Sequence, residues 1–418
     1  MKLLIEKYKF VLINSFKKGF VHLISANLLI QVFSFASQLF VAGILSPEDI
    51  GRIKIIQTYL SLFSIIAGWG FNSSTLKLCS ENRSNKEKYV IFSSAIFFTL
   101  ISTSFIYLII LLFNQFKLFS SDTLITWLIP VGLFPLISNS VFIVYIAYFQ
   151  SNKLIKRMSA LTISNKLISI ILIILFTYIA GIKGYYFAYN ISFILIIFVA
   201  IKYLKPSFRI KNIKSYLQLH NRYAIPSFTS TFFAELSAYV DILLLNFMLT
   251  DLNEIGMYGF ALTLTIIFKI FPSSVQQITI PYFSENSTNK PKFHELFKYY
   301  NKILHIVVLI IYIIAILVVP SFISIIFKQK YDSSIPYFYI LGLGWSIRML
   351  VQLRSGAIFG LGKVKYNLYV SIISSTFNIF LFYFSLKYWG IYGLAISNIF
   401  SGLLIYLLSY IFYNKALE

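Results

Sequence analysis

The sequence predicts an all-α membrane protein with about twelve transmembrane helices, and two observations carry this prediction. Hydrophobic residues make up 58% of the 418 residues and charged residues only 12%, about half the charge of a typical soluble domain. The apolar residues lie in about twelve segments, roughly 23–45, 55–76, 90–113, 124–149, 159–180, 184–201, 224–249, 255–283, 303–327, 335–353, 366–386 and 389–413. Each is close to the ~20 residues that a helix needs to cross ~30 Å of hydrocarbon. Because backbone groups in lipid must be satisfied internally, such long segments favour helices over barrel strands.

The basic residues alternate between the two sides of the predicted membrane. Of the 36 Lys and Arg residues, 26 lie at the two ends of the chain and in alternate gaps, and the other gaps hold seven. Lys and Arg beside short loops are retained in the cytoplasm, so we expect both termini to be cytoplasmic. The formal charge of +22 is scattered over many short loops. It is therefore assigned to topology and to anionic membrane lipids rather than to a nucleic-acid partner.

The chain repeats itself at an offset of about half its length. Residues 46–51 (SPEDIG) align with 251–256 (DLNEIG), and residues 181–184 (GIKG) align with 390–393 (GIYG). Each half then holds six spans, so the halves share one orientation and are related by a pseudo-two-fold axis along the membrane normal. We predict two six-helix lobes, 1–205 and 206–418. Two similar bundles that face each other are typical of a transporter that rocks around a central cavity.

Five ionisable residues lie inside the predicted spans, and the cost of burying them in lipid predicts an interior site. They are Lys166, Glu235, Asp241, Lys269 and Arg348. Facing lipid, each would cost about 2.5–3.5 kcal/mol, so we expect them to face a cavity or a partner. Lys269 lies about fourteen residues from either end of its segment and is too deep to snorkel. Lys166 and Arg348 lie towards the cytoplasmic ends of their segments, where snorkelling is an alternative.

Polar residues recur at helical spacing near these charges. One face of the first span carries Asn27, Gln31, Ser34 and Gln38, and one face of the eighth carries Thr265, Lys269, Ser273 and Gln276. In the seventh span a stripe of small residues ends at Asp241. Close helix packing is the alternative explanation for small and polar residues. Because the first, second, seventh and eighth spans are equivalent pairs under the repeat, we expect them to line one central cavity.

Signatures of an enzyme are absent from the sequence. The four histidines lack metal-ligand spacing. The single Cys79 excludes an intramolecular disulfide and a cysteine-based zinc or iron–sulfur site. No gap between segments exceeds about twenty residues, which leaves no room for a soluble catalytic domain. We therefore expect a transporter without a cofactor, driven by a proton or sodium gradient or by the gradient of its substrate.

Several motifs, in order along the chain, resemble those of one transporter family. They are Leu45 to Gly51 after the first span, Asp241 to Tyr258 across the seventh and eighth, Pro281 to Ser284, Gly360 to Lys363, Asn378, and Gly390 to Gly393. With the twelve spans and the duplication, this set resembles the Wzx-type polysaccharide flippases, which transport O-antigen and capsule repeat units. That family belongs to the multidrug/oligosaccharidyl-lipid/polysaccharide (MOP, MATE-like) exporter superfamily.

The resemblance implies a V-shaped, two-lobed protein of the bacterial inner membrane. It would move undecaprenyl-diphosphate-linked oligosaccharide to the outer leaflet for O-antigen, capsule or exopolysaccharide (lipopolysaccharide-type) synthesis, alongside a glycan polymerase and a chain-length regulator. A diphosphate needs cations at membrane depth, and a glycan needs amides to replace water. We assign substrate binding to Lys269, Lys166, Arg348, Asn27, Gln31, Gln38 and Gln276, and ion coupling to Asp241 and Glu235.

Two other functions stay open at this point. A cation-coupled drug exporter of the same superfamily would favour a carboxylate-rich cavity, whereas the first half has no carboxylate in its spans. A membrane glycan polymerase or ligase, which is a different class, would need a large external loop, whereas the external gaps are short. For Asp241, the alternatives to ion coupling are pairing with Lys269 and capping of a packed polar network.

Overall fold

The computed structural model describes residues 20–208, 212–249 and 251–418, which are almost entirely helical. The helices are α1 Phe20–Ile44, α2 Pro47–Gly68, α3 Phe71–Ser80, α4 Asn85–Gln115, α5 Thr123–Leu133, α6 Pro135–Ser151, α7 Ile155–Tyr203, α8 Ile213–Met248, α9 Leu252–Leu264, α10 Ile266–Glu285, α11 Lys290–Ile326, α12 Ile335–Met349, α13 Val351–Gly360 and α14 Lys365–Leu417. A short 3-10 turn, Asp332–Ser334, precedes α12. No strand occurs in the described ranges, and the predicted all-α class is confirmed.

Membrane spans and helices do not correspond one to one, because some helices are broken and others are fused. Within the described ranges, nine helical stretches are long and apolar enough to cross a membrane. Two of them, Lys156–Tyr203 with 48 residues and Lys365–Leu417 with 53, have about twice the length that one crossing needs. Each is kinked near its middle and therefore makes two spans. With α1, whose apolar part is Gln31–Ile44, these stretches account for the twelve predicted spans.

The two kinks are built alike, at the glycines that the sequence repeat aligns. Gly181 in α7 has φ 58° and ψ −141°, and Gly390 in α14 has φ 61° and ψ −157°. This backbone region is essentially restricted to glycine. Three residues further on, a Cβ added to Gly184 or Gly393 would meet a carbonyl oxygen of the preceding arm at 1.9 or 2.8 Å. The repeated GxxG motif thus makes the same turn, with closely packed arms, in both halves.

Replacing Gly390 tests this interpretation of the motif. An L-residue in this conformation costs about 1–3 kcal/mol, so Gly390→Ala should lower the thermal unfolding temperature of the detergent-solubilised protein by a few degrees. The matched control is Gly68→Ala, since the nearest atom to a Cβ there is Ser140 Oγ at 3.8 Å. That variant should unfold at the wild-type temperature. If both variants were equally stable, the kink would not depend on glycine.

Equivalent spans of the two halves are also each divided into two helical segments. The second span breaks at Trp69 and Gly70, the fourth at Phe134, the eighth at Thr265 and the tenth at Leu350. Breaks inside a bilayer are tolerated where neighbouring protein completes the freed hydrogen bonds. We refer to α1–α7 as the N-terminal half and α8–α14 as the C-terminal half. The lobe boundary at 205/206 falls in the segment between α7 and α8 and stays a prediction.

The two halves meet at the other repeated motif. Ser46 Oγ caps the start of α2 by accepting from Asp49 N at 3.2 Å, and Asp251 caps the start of α9. A Cβ on Gly51 would lie 2.6 Å from the main-chain oxygen of residue 252, and one on Gly256 would lie 1.9 Å from the main-chain oxygen of residue 47. Only two glycines let the backbones of α2 and α9 approach this closely, so the motif serves both the cap and the contact between halves.

Polar contacts flank this glycine contact on both sides. Asn246 Nδ2 at the end of α8 donates to Tyr59 OH at 3.0 Å and to the Phe119 carbonyl at 2.6 Å. On the other side, Tyr331 OH and the Lys330 ammonium donate to carbonyl groups in and just after the last turn of α1. A cation is favoured at this end of a helix because the dipole is negative there. We call these contacts, together with Gly51 and Gly256, the clasp. It holds the two halves together at one edge.

Candidate functional site

A cavity of about 200 Å³ lies in the N-terminal half, between α1, α2 and both arms of α7, with α9 along one side. Lys54 of α2 and Lys166 of α7 are its only charged lining residues among the described residues. The remaining polar lining is neutral and consists of serine, threonine, amide and tyrosine side chains. We call it the lysine cavity. Two cations without a carboxylate in the same lining make a site for an anion.

Lys54 was missed by the sequence analysis, which placed it in a gap before a span beginning near residue 55. The helix begins at Pro47, where Ser46 provides the N-cap and Pro47 occupies the first turn. Lys54 therefore lies two turns inside α2, and the set of five charges within the spans was incomplete. The capping sequence Ser-Pro-Glu-Asp was the signal that could have found it.

The neighbouring cation Arg52 shows why Lys54 is distinctive. The Arg52 guanidinium pairs with Asp49 at 2.8 Å and with Asp122 at 3.2 Å, so its charge is compensated. Lys54 makes no hydrogen bond or ion pair with the described residues and faces the cavity instead. An uncompensated ammonium at membrane depth is costly, and an anionic ligand would remove that cost.

Of the predicted first-span stripe, Ser34 and Gln38 line the lysine cavity. Gln31 lies on the same helix, outside the lining, and is half-buried. The side chain of Asn27 lies outside the described residues. The second span adds Gln57, whose Nε2 donates to Tyr185 OH across the cavity wall at 2.7 Å.

Lys166 lies on the first arm of α7 and is exposed within the N-terminal half, where it lines the cavity. Next to it, Asn165 is only 5% exposed, and its Oδ1 has no hydrogen-bond partner among the described residues. A buried acceptor without a partner costs about 1–3 kcal/mol.

Of the three cations assigned to one central cavity, only one lines the lysine cavity, which corrects the prediction. Lys166 lines the lysine cavity, whereas Lys269 and Arg348 are not part of that lining. The Arg348 guanidinium donates to the Ser237 carbonyl at 2.9 Å and to Ser237 Oγ at 2.8 Å, and it lies over the Trp345 ring at 5.1 Å. Because α12 continues into α13, Arg348 lies in the middle of the stretch Asp332–Gly360. This position differs from the expected one, which was near the cytoplasmic end of the span.

Lys269 and Gln276 both lie on α10 but have different environments. Lys269 is exposed and makes no hydrogen bond or ion pair with the described residues. Glu235 of α8 is half-buried and likewise makes no hydrogen bond or ion pair with the described residues. Gln276 packs against α13, since its Cγ would lie 3.0 Å from a Cβ on Gly356. Its side chain therefore belongs to a helix interface within the C-terminal half.

Asp241 is the most buried of the predicted ionisable residues, at 1% exposure. Its Oδ2 accepts from Tyr258 OH at 2.9 Å, and its Oδ1 accepts from Ile242 N at 2.8 Å. Asn398 Nδ2 donates to the same Tyr258 oxygen at 3.0 Å. Lys269 makes no contact with this group. Of the structural alternatives for Asp241, the packed polar network is the one present in the structure.

The sequence of residues 16–287 matches that of polysaccharide biosynthesis proteins. The chain belongs to the polysaccharide biosynthesis protein family. The matched range contains α1–α10 and with them the whole lining of the lysine cavity. No curated protein sequence matches the chain significantly.

Solved structures place this family member within a known fold. An inward-facing multidrug resistance MATE family transporter of the MOP superfamily has a TM-score of 0.72 at 14% identity, over 93% of this chain and 95% of that one. Lipid II flippase MurJ in an inward closed conformation has a TM-score of 0.72 at 20% identity, over 94% and 89%. A mutant of the Vibrio cholerae MATE transporter VcmN gives 0.68 at 15% identity, over 96% of each chain. The family member is thus a multi-pass membrane protein with the fold of MOP-superfamily transporters and flippases.

Proposed function

We propose that this protein flips undecaprenyl-diphosphate-linked oligosaccharide repeat units across the bacterial inner membrane, for O-antigen, capsule or exopolysaccharide synthesis. The observation that carries the proposal is the lysine cavity. Among the described residues, Lys54 and Lys166 are the only charged side chains in its lining. A diphosphate is the anion that a polysaccharide precursor presents at membrane depth. Membership of the polysaccharide biosynthesis family supports this substrate class.

The neutral lining of the cavity suits the saccharide part of the substrate. Gln38, Gln57 and Asn165 offer amides, and the serines of α1 and α7 offer hydroxyl groups. These groups replace the water that a sugar loses on entering the membrane, since each unpaired polar group would otherwise cost free energy. The long lipid tail needs no polar site and can stay in the bilayer.

Movement follows from the two-half architecture. As the two halves rock, the clasp would open and close and expose the lysine cavity alternately to the two sides of the membrane. Lys269 is exposed on α10 and makes no ion pair with the described residues. We propose that it binds the diphosphate in the C-terminal half during transport. We further propose that both termini are cytoplasmic and that a glycan polymerase and a chain-length regulator use the product.

The alternatives fit the lysine cavity less well. A drug exporter for cationic compounds would meet two lysines and no carboxylate in the lining, which repels such substrates. A glycan polymerase or ligase would need catalytic groups in an external domain, whereas the connections between described helices are short.

Reconstitution tests the proposed function directly. The purified protein is placed in liposomes whose lipids include undecaprenyl-diphosphate-linked oligosaccharide with a fluorescent label on the glycan. A membrane-impermeant quencher added outside should quench about half of the label in empty liposomes and nearly all of it when the protein flips the lipid. Equal quenching with and without protein would refute the function. A fluorescent cationic drug in the same liposomes tests the exporter alternative.

We separately propose that Asp241, together with Glu235 on the same helix α8, couples transport to a proton or sodium gradient. Asp241→Asn keeps the size of the side chain and its hydrogen bond with Tyr258 but removes the charge. We expect this variant to be made at normal abundance and to flip substrate at a rate that no longer changes when the gradient is collapsed. Tyr258→Phe is the control, since it removes the hydrogen bond and keeps the charge. A rate that still responds to the gradient in Asp241→Asn would exclude this role.

A further inference from the structure

One wall of the lysine cavity is aromatic. Tyr185, Tyr189 and Phe193 follow one another at intervals of four residues on the second arm of α7 and all line the cavity. The rings of Tyr185 and Tyr189 are nearly parallel, with an interplanar angle of 4° and centroids 6.4 Å apart. The Phe193 ring meets that of Tyr189 edge-on, with centroids 5.2 Å apart. The four-residue spacing places the three rings on one face of the helix.

Packing alone explains two of these rings but not the third. Tyr185 is 7% exposed and Phe193 6%, and the Tyr185 hydroxyl is fixed by the donated hydrogen bond from Gln57. Tyr189 is only half-buried, and its hydroxyl makes no hydrogen bond with the described residues. A half-buried ring braced on both sides and open to a cavity is a preformed platform for a flat ligand surface.

The groups around this platform are complementary to a sugar phosphate. The negative face of an aromatic ring attracts partly positive C–H groups, which one face of a pyranose presents. The hydroxyl groups of the same pyranose lie around its rim, and the lining offers them the amides of Gln38 and Gln57. Lys54 and Lys166 stand in the same lining for the phosphate attached to the ring.

Resting on the proposed function, we infer that the lysine cavity is a subsite for the sugar that is linked to the diphosphate. That sugar ring stacks on Tyr189 and places its hydroxyl groups against the amides of the lining, while the phosphates contact Lys54 and Lys166. The size of the cavity supports a single ring. At about 200 Å³ it is smaller than the roughly 300–1,000 Å³ of sites for drug-sized ligands, so the rest of the oligosaccharide lies outside it.

Binding of two lipids that differ only in the sugar tests the inference. The probes are undecaprenyl diphosphate carrying one N-acetylglucosamine and undecaprenyl diphosphate without sugar, each titrated into the full-length protein in nanodiscs. Tyr189→Leu should weaken binding of the sugar-bearing lipid about tenfold and leave binding of the bare lipid unchanged. Tyr189→Phe, which keeps the ring, should bind both lipids like the wild type. The matched control is Tyr178→Leu on the same helix, where the ring is 76% exposed; it should have no effect.

A second substitution, Gln38→Ala, provides the same readout from a different helix, since Gln38 of α1 lines the cavity and is half-buried. A selective loss for the sugar-bearing lipid is expected again. Equal weakening of both lipids in Tyr189→Leu, or no weakening of either, would overturn the subsite and leave the proposed function standing. A wild-type protein that binds neither lipid would overturn the proposed function itself and the subsite with it.

Discussion

Replacing Lys54 and Lys166 together with alanine should abolish flipping of the diphosphate-linked oligosaccharide while the protein still inserts at normal abundance. Each ammonium contact with a phosphate contributes about 1.5–3 kcal/mol, or roughly ten- to a hundredfold in affinity. The two single variants should therefore each retain reduced transport, and the double variant should fall to the level of empty liposomes. The liposome quenching assay measures all three.

Charge-preserving and distant substitutions distinguish a loss of binding in the cavity from a general effect of removing positive charge. Lys54→Arg and Lys166→Arg should keep part of the transport, since the cation is retained with a different shape. Lys86→Ala removes an exposed lysine from the first turn of α4, a helix that contributes no residue to the cavity lining. This variant should transport the substrate normally. Wild-type transport in the double alanine variant would show that the cavity does not bind the diphosphate.

Enlarging Gly256 should prevent the clasp from closing. A Cβ at this position would lie 1.9 Å from the Pro47 carbonyl oxygen, and a backbone atom cannot turn away as a side chain does. Overpacking within a core costs about 1–3 kcal/mol, so Gly256→Val should shift the protein away from the closed arrangement and lower transport at least tenfold. Spin labels at positions 48 and 254, in a Cys79→Ser background, should report a longer and broader distance distribution.

Gly43→Ala is the control for the clasp experiment. Gly43 lies in α1 at the same edge, but the nearest atom to an added Cβ is Phe327 Cε1 at 4.0 Å. This variant should keep both the label distance and the transport rate of the wild type. If Gly256→Val also kept both, the contact between α2 and α9 would not close the protein during transport.

The candidate site was only partly predictable from the sequence. Helical spacing brought Ser34 and Gln38 to one face of α1, and both reach the cavity. Their positions inside predicted spans selected Lys166 and Lys269, yet only Lys166 lines the cavity. Spacing along one helix cannot tell which neighbour that face meets. For the same reason Arg348, which pairs with Ser237 of another helix, could not be distinguished from a ligand-binding cation.

Composition and periodicity by themselves determined the class of this protein, the twelve spans and the duplication. Length and hydropathy are properties of single segments. The kinks are local in the same sense, since the φ near 60° at Gly181 and Gly390 requires glycine at those positions. Only the tertiary structure decided that Gly51 meets Gly256, that Lys54 faces a cavity, and that Tyr189 lines the same cavity. These relations join residues that are far apart in sequence. They depend on how helix faces pack together, which the pattern of any one helix does not contain.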